Sequence, residues 1–340
     1  MQFRTVGRTG IRISEIGFGC GNNAVLMVKA SYAEQLTAVR HALEAGINFF
    51  DTAFAYGLGK SEENLGRILN ELGADPVNST KNRLETDALN DVKAATIRAV
   101  EAGLQRLKRN RVEFVQLHTR VTSQRGAGKR FTLTPKDVIG ANGVIDGFKT
   151  MRDRGKVGHF GFSGLGDPKA LHELVDSGEF HGFQAYYNLL NPSAGQIVPA
   201  DFSAPDYGRI IDRAAEKKGM GAFVIRILAA GALTAEPSAG GGSSPEPLSP
   251  GSDYALDLER AEKVKSALGV DGKKLTQAAI RFGLMNRNVS TVLVGFSNTI
   301  HIDEAVACSG APTLSDEQMV KMKALWQSDF GARADSWHVR

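Results

Sequence analysis

The feature that most constrains the fold of this chain is a repeated alternation of short apolar runs with amphipathic stretches. We predict the apolar runs as buried strands and the amphipathic stretches as helices. The eight predicted strands are, in chain order, Ile16–Gly19, Ile47–Asp51, Val77–Lys81, Arg111–His118, Lys156–Ser163, Gly182–Tyr187, Gly221–Leu228 and Thr291–Gly295. Eight successive β/α units within 340 residues favour an α/β fold of the closed (β/α)8 TIM-barrel type over an open doubly wound sheet.

The segments outside this repeat predict an entry hairpin and three long loops. Residues 2–15 alternate around a glycine-rich turn and predict a β-hairpin ahead of the barrel. Long connections at 20–30, 119–133 and 236–254 each follow a strand, which places them on the carboxyl face as candidate lids. The last is rich in Gly, Ser and Pro, so it is either a lid or a disordered insertion. No shift in composition marks a second domain, and residues 1–340 are predicted as one barrel domain.

Composition excludes several classes of function. The formal charge of +4 is spread along the chain without a dense basic stripe, which argues against a nucleic-acid partner. No apolar stretch is long enough for a membrane span, and the N-terminal residues lack a leader pattern. The cysteines, Cys20 and Cys308, form no disulfide or metal pattern, so we expect a cytoplasmic protein. The seven histidines include no metal-site spacing, and no metal is predicted.

Chemistry-bearing residues stand at the carboxyl ends of three predicted strands. Asp51, Lys81 and His118 each end a different strand, and Tyr56 follows Asp51 by five residues. The carboxyl ends of barrel strands converge, so these side chains are expected to share one site. Each has an alternative structural role taken alone: a loop cap, a solvated lysine, a core histidine, a packed phenol. Their joint placement favours a catalytic site.

Such a group suits proton transfer to a carbonyl oxygen while hydride reaches the carbon. A phenol is a weak acid at neutral pH, and an adjacent Lys81 ammonium is expected to lower the pKa of Tyr56. Asp51 would hold the lysine in place. His118 would donate a hydrogen bond to the carbonyl oxygen or polarise the tyrosine.

These residues resemble the aldo-keto reductases in type, order and spacing. The matching runs are Gly7–Gly10, Ile16–Gly19, Phe49–Gly57 with Ser61 and Glu62, Ser79–Lys81, Val115–His118, and Gly155–Gly158 before Phe160–Ser163. The resemblance covers almost the whole chain. It implies a barrel, a nicotinamide cofactor bound in an extended form across the carboxyl face, and a catalytic tetrad of Asp51, Tyr56, Lys81 and His118.

The resemblance also implies a set of cofactor-binding residues, with departures from the usual pattern. The set is Gly19, Cys20, Asp51, Ser163, Gly164, Gln184, Arg226, Leu228, Gly231, Gly295, Ser297, Asn298, His301 and Glu304. Gly164 replaces the Asn or Arg that is more usual beside Ser163, and Ala305 replaces a common Asn. Residues 225–227 lack the usual aromatic-Ser-Pro, for which Arg226 would compensate by contacting phosphate. Independently, the helix that follows the last strand offers an N-terminal anion site, although an ordinary capped helix explains it equally well.

Cofactor preference and substrate are less constrained. The resemblance favours NADP(H), but residues 295–307 contain no Lys or Arg, so we predict weak preference or dual use with NAD(H). His301 is the one candidate cation there, and a histidine gains charge only in acid. The expected partner is a small carbonyl compound or sugar: an aldehyde, a ketone or an aldose. Two other functions stay open, a Schiff-base lyase using Lys81 and a cofactor-binding regulatory protein with little turnover.

Overall fold

The chain begins with an antiparallel hairpin. The computed structural model describes residues 1–21, 25–126, 131–235 and 253–332. Strands β1 (Phe3–Thr5) and β2 (Arg12–Ser14) pair with each other and with no barrel strand. The predicted hairpin is therefore confirmed. Most of the predicted loop at 236–254 lies outside the described residues.

Eight parallel strands close into a barrel, as the alternation predicts. They are β3 (Ile16–Gly19), β4 (Phe49–Asp51), β5 (Val77–Asn82), β6 (Val112–Leu117), β7 (Val157–Ser163), β8 (Gly182–Tyr186), β9 (Gly221–Ile225) and β10 (Val289–Gly295). Neighbours in sequence are neighbours in the barrel, and β10 closes on β3. The register aligns Gly19 with Asp51 and Asp51 with Ser79, so residues from three strands reach the carboxyl rim at one level.

Helices connect the strands around the outside of the barrel. Those described are α1 (Leu26–Lys29), α2 (Tyr32–Glu44), α3 (Lys60–Glu71), α4 (Val92–Leu107), α5 (Pro135–Ile139), α6 (Val144–Asp153), α7 (Pro168–Ser177), α8 (Ile210–Lys218), α9 (Tyr254–Leu268), α10 (Gly272–Met285), α11 (Thr299–Val306) and α12 (Asp316–Gln327). Apolar faces of these helices pack on the outward side chains of the strands and form the larger hydrophobic core.

Two helices begin with a capping box. At the start of α2, the Ser31 hydroxyl oxygen accepts a hydrogen bond from the backbone N–H of Glu34. The Glu34 carboxylate in turn accepts a hydrogen bond from the backbone N–H of Ser31. Thr134 and Asp137 form the same reciprocal arrangement ahead of α5, with proline at the first helical position. These bonds satisfy backbone N–H groups that a helix start leaves unpaired.

One predicted helix is interrupted. The sequence pattern predicts a single helix over Ala88–Leu107, whereas the structure has a 3₁₀ turn at Thr86–Asn90 followed by α4. The break falls at Asp91, which takes an extended conformation and accepts a hydrogen bond from the backbone of Ala94. Aspartate competes with the helix for backbone donors, so it starts the helix rather than continuing it.

The hairpin closes the amino end of the barrel. Val6 and Ile13 pack with Phe49, Phe114 and Phe223 inside the barrel, and all five side chains are fully buried. Each such burial contributes about 1.5–3 kcal/mol. The amino end is thereby filled with apolar side chains, and polar side chains inside the barrel collect towards the carboxyl end.

The connections on the carboxyl face differ in detail from the predicted loops. The first, at 20–30, includes the short helix α1. The second, at 119–133, is tied to the barrel through Val121, which bridges to Leu133 and to Gly166. A further long connection, 187–209, was not predicted. Its buried Asn188 accepts hydrogen bonds from the two backbone N–H groups of Leu190 and Asn191.

Both cysteines are free and buried. Among the helices that the structure describes, none is long and apolar enough to cross a membrane.

Candidate active site

The side chain of Lys81 is the centre of a buried cluster at the carboxyl end of the barrel. Its ammonium Nζ lies 2.6 Å from Asp51 Oδ2 and 3.1 Å from Tyr56 Oη. It also donates to the backbone oxygen of Thr52 at 2.8 Å. Lys81 is fully buried, so all three donors of the ammonium are used inside the protein. The structure therefore brings together the aspartate, the lysine and the tyrosine that the sequence places on different strands and loops.

The loop after β4 turns back sharply to present Tyr56. Gly57, Leu58 and Gly59 all have positive φ, and α3 begins immediately after them. Glycine suits this left-handed run because it has no Cβ to clash. The backbone of Ser61 then donates to the carbonyl of Tyr56 at 3.2 Å. The turn fixes the direction in which the phenol leaves the backbone.

Two glutamine side chains hold the carboxylate of Asp51. Gln184 Nε2 donates to Asp51 Oδ2 at 2.9 Å, and Gln116 Nε2 donates to Asp51 Oδ1 at 3.3 Å. Gln116 donates as well to Ser79 Oγ at 2.8 Å. Sequence reasoning gave Gln116 no role. The sequence does indicate its position, because Gln116 is two residues after Phe114 on β6 and the two side chains therefore share the inward face of the strand.

The surroundings of the cluster favour a charged Lys81 and a protonated Tyr56. Burial alone would lower the pKa of Lys81, but Asp51 and Tyr56 raise it, and the net shift is upward. Burial raises the pKa of Tyr56 against the opposing Lys81 ammonium. The expected lowering by Lys81 is thus present, although burial outweighs it. At neutral pH the site holds an ammonium beside a protonated phenol.

His118 lies beside the ring of Tyr56. The two ring centroids are 5.8 Å apart with the planes at 82°, an edge-to-face arrangement. Burial, then Lys81 and Arg83, lower the pKa of His118 to about 3. Its Nδ1 is buried and has no hydrogen-bond partner among the described residues. The imidazole is therefore neutral at physiological pH, which makes it a hydrogen-bond donor rather than an acid.

Ser163 and Gln184 face each other on adjacent strands. They are in register on β7 and β8, with Ser163 Oγ 3.4 Å from Gln184 Oε1. Gly164, where the family usually has a larger residue, donates its backbone N–H to the backbone carbonyl oxygen of Gln184 at 2.7 Å. A Cβ at this position would lie 2.4 Å from that same oxygen. An asparagine at 164 would require the strands to move apart, and glycine removes the conflict.

Gly19 and Gly295 lie side by side where β3 meets β10. They are in register, and Cys20 follows with its backbone N–H bonded to the carbonyl of Asp51 at 2.9 Å. The Cys20 thiol is buried, and burial raises its pKa, so it is an inert packing group. Gly295 is exposed, as is Ser297. Without side chains, the two glycines leave the strand backbones open to a flat ligand.

The side chain of Asn298 caps the N-terminus of α11. Asn298 accepts from the backbone of His301 at 3.0 Å, and His301 is exposed one turn into the helix. Glu304 pairs with Lys273 at 3.0 Å. Lys273 comes from the start of α10, so the fold brings a lysine to a helix whose own segment has none. Sequence reasoning missed this cation because it considered only residues 295–307.

The connection after β9 contains Arg226, Leu228 and Gly231. The predicted strand Gly221–Leu228 ends at Ile225 because Arg226 adopts a positive φ of 57°. A 3₁₀ turn follows over Ala229–Gly231. Leu228 is partly buried, and Gly231 has a φ of 105°. The backbone N–H groups of Ala229 and Gly231 donate to the carbonyl oxygens of Arg226 and Leu228, so the turn is closed by its own hydrogen bonds.

Within the described ranges, no cluster of three or more His, Cys, Asp or Glu side chains could hold a metal ion.

Comparison with known proteins identifies relatives over nearly the whole chain. Residues 15–327 match the sequence model described as the aldo/keto reductase family. L-galactose dehydrogenase from Arabidopsis thaliana is 26% identical over 316 residues, covering 90% of this chain and 88% of the relative. The aldo-keto reductase AKR11C1 from Bacillus halodurans, in its holo form, has a TM-score of 0.72 at 22% identity, covering 96% of this chain and 97% of that one. An aldo-keto reductase from Klebsiella pneumoniae, solved in complex with NADPH, has a TM-score of 0.65 at 19% identity and covers 96% of each chain.

Proposed function

Because the chain belongs to the aldo/keto reductase family, a family of NAD(P)H-dependent oxidoreductases, we propose that it interconverts a small carbonyl compound and the corresponding alcohol. Tyr56 is the general acid for reduction and the general base for oxidation. The observation that carries this proposal is the buried Lys81 ammonium, placed 2.6 Å from Asp51 Oδ2 and 3.1 Å from Tyr56 Oη.

Each member of the cluster has a distinct part in moving one proton. A bound nicotinamide supplies or accepts the hydride. Tyr56 Oη donates its proton to the carbonyl oxygen, and Lys81 stabilises the phenolate that remains. Asp51 keeps the lysine charged and oriented, with Gln116 and Gln184 fixing the carboxylate. The neutral His118 donates a hydrogen bond to the same carbonyl oxygen and stabilises charge developing there.

The described residues fit a nicotinamide dinucleotide along the carboxyl face. The proposed carboxamide contacts are Ser163 and Gln184, with Gly164 behind them. The proposed pyrophosphate contacts lie in the turn of Leu228 and Gly231. The remaining cofactor-binding residues proposed on this face are Gly19, Cys20, Asp51, Gly295, Ser297, Asn298, His301 and Glu304. The paired glycines of β3 and β10 support this path, because neither places a side chain at the carboxyl end of the barrel.

A Schiff-base lyase is less favoured by the same geometry. A lysine must be neutral to attack a carbonyl, whereas Asp51 and Tyr56 raise the pKa of Lys81, and its ammonium makes three hydrogen bonds. A regulatory protein without turnover would have no need of a phenol held against an ammonium. The intact cluster therefore favours an enzyme.

Fluorescence titration with NADPH and NADH, followed by turnover of a panel of aldehydes, ketones and aldoses in both directions, tests the proposal. We expect binding of at least one reduced cofactor and consumption of it only when a carbonyl compound is added. Treatment with borohydride and an aldehyde should leave Lys81 unmodified. Trapping of substrate on Lys81, or cofactor binding with no turnover across the panel, would support the alternatives instead.

Preference for NADP(H) over NAD(H) should be weak. A charge-assisted contact to the 2′-phosphate is worth about 1.5–3 kcal/mol, about tenfold or more in affinity, and residues 295–307 contain no Lys or Arg to supply it. We expect the dissociation constants of NADPH and NADH to differ by less than about tenfold, as measured by fluorescence titration. H301Q should reduce whatever preference for NADPH there is.

The matched variant K273Q separates the contribution of His301 from that of the nearby lysine. Lys273 pairs with Glu304, so its loss tests whether the lysine on α10 contributes to the ratio of dissociation constants. A preference for NADPH above about a hundredfold that is unchanged by H301Q and by K273Q would place the 2′-phosphate on a different cation.

A further inference from the structure

Arg226 presents a cation at the carboxyl end of the barrel, and no described side chain forms an ion pair with it. Its backbone is fixed: the carbonyl oxygen accepts from Asn188 Nδ2 at 2.9 Å, and the φ of 57° directs the chain sharply away from β9. Its side chain is partly buried, yet the guanidinium makes no hydrogen bond or ion pair with any residue in the described parts of the chain. Burying a cation without a partner costs free energy, so its retention points to a ligand.

Arg226 interacts electrostatically with groups at the carboxyl end of the barrel, including Tyr56. Burial lowers the pKa of Arg226, while Tyr186, Tyr56 and Asp257 act against that shift and Arg120 adds to it. Tyr56 is the proposed proton donor, and Arg120 follows His118 by two residues on the loop after β6. Tyr186 ends β8 and Asp257 lies in the first turn of α9. All four come from strand ends or from connections on the carboxyl face, as Arg226 does.

Asp257 is the one carboxylate among these neighbours, and no hydrogen bond or ion pair joins its side chain to Arg226. Burial raises the pKa of Asp257 to about 6, so this carboxylate is still mostly ionised at pH 7 and acts on Arg226 without direct contact.

We propose that Arg226 binds a negatively charged group, a carboxylate or a phosphate, on the carbonyl substrate itself, and so selects anionic aldehydes or ketones over neutral ones. This assignment rests on the proposed function, since Tyr56 Oη marks where the carbonyl oxygen lies. It differs from the sequence-based expectation that Arg226 contacts the cofactor phosphate. A planar guanidinium favours a carboxylate because it offers two parallel N–H donors.

Matched substrates that differ only in charge test the assignment. The pairs are 4-oxobutanoate with butanal, and 4-carboxybenzaldehyde with benzaldehyde, each at saturating reduced cofactor. We expect the wild-type protein to show a kcat/KM at least about tenfold higher for the charged member of one pair or both. R226Q should remove that advantage, mainly by raising KM for the charged member, while kcat/KM for the neutral member stays within about threefold. R226K, which keeps the charge but loses the planar fork, should retain part of the advantage.

The variants are matched in backbone and in fold. Gln and Lys meet the same positive φ as Arg, so the strain at position 226 is unchanged. R213Q removes an arginine on α8 that pairs with Asp176, and it should behave as wild type in every assay. Unfolding temperature and the NADPH dissociation constant, measured by fluorescence, are recorded for all variants. If R226Q does not fold, R226K provides the test: the proposal requires the ratio of kcat/KM for the charged and neutral substrates to be lower in R226K than in the wild type.

Three results would overturn the proposal. The first is equal kcat/KM for charged and neutral members in the wild type. The second is an equal loss for both members in R226Q together with NADPH binding weakened about tenfold, which would assign the guanidinium to a cofactor phosphate. The third is cofactor binding with no turnover of either pair or of any carbonyl in the wider panel, which is the failure of the proposed function itself.

Discussion

Replacing Tyr56 by Phe should reduce carbonyl turnover by about two to four orders of magnitude while the dissociation constants of the reduced cofactors stay within a few fold. The substitution removes only Oη, the atom 3.1 Å from Lys81 Nζ. Lys81 keeps its bonds to Asp51 and to the oxygen of Thr52, so the base of the cluster stays paired. Steady-state rates and fluorescence titration measure the two effects separately.

A second tyrosine provides the control. Tyr32 on α2 donates its hydroxyl to Glu71 at the surface, far in sequence from the tetrad, and Y32F should match wild type in turnover. His118 cannot substitute as the acid in Y56F, because a pKa near 3 leaves it neutral throughout the physiological range. A Y56F variant that keeps turnover within about tenfold of wild type would refute the role given to the phenol.

The sequence predicts the barrel well because both of its determinants are local. Apolar runs that alternate with amphipathic stretches specify strands and helices, and eight such units can close only one kind of parallel barrel. Closure then brings strand ends together. That is why Asp51 and Lys81, thirty positions apart in sequence, lie 2.6 Å apart in the structure. A reader of the sequence needs only the strand ends to place both residues at one rim.

Contacts that depend on a particular side-chain direction are not predictable in the same way. Gln116 lies within β6 rather than at its end, and only the inward face of the closed barrel brings it to Asp51. Lys273 reaches Glu304 from another helix, a pairing that no local pattern encodes. The end of β9 was predicted three residues late, since a positive φ at Arg226 leaves no mark in the order of apolar residues.

Replacing Lys81 by Met should abolish reduction at neutral pH and should also destabilise the fold. Loss of the ammonium leaves Asp51 buried with two amide donors and no cation, a change that typically costs about 3–5 kcal/mol. It also removes the charge that offsets the effect of burial on the pKa of Tyr56, so that pKa should rise further. Turnover should fall by about two orders of magnitude or more, and thermal unfolding should shift to lower temperature.

The direction of the Lys81 pKa shift determines how the stability contributed by the Lys81–Asp51 pair depends on pH. The pKa of Lys81 is raised above the ordinary 10.5, so the stability it contributes is complete at lower pH and is lost only as pH rises through the raised value. Wild type should therefore lose this contribution in strongly alkaline solution, whereas K81M should show no such loss. Unfolding free energies measured from neutral to alkaline pH compare the two.

The double variant D51N/K81M separates stability from catalysis. It removes both buried charges, so it should recover most of the stability lost in K81M, because an uncharged pair no longer pays for desolvation. It should recover no turnover, since the phenol still lacks the ammonium that stabilises its anion. Recovery of turnover together with stability would mean that K81M failed only by unfolding, and that a different cation activates Tyr56. Arg226, on which Tyr56 acts electrostatically, is the candidate, and the triple variant with R226Q would then be the inactive one.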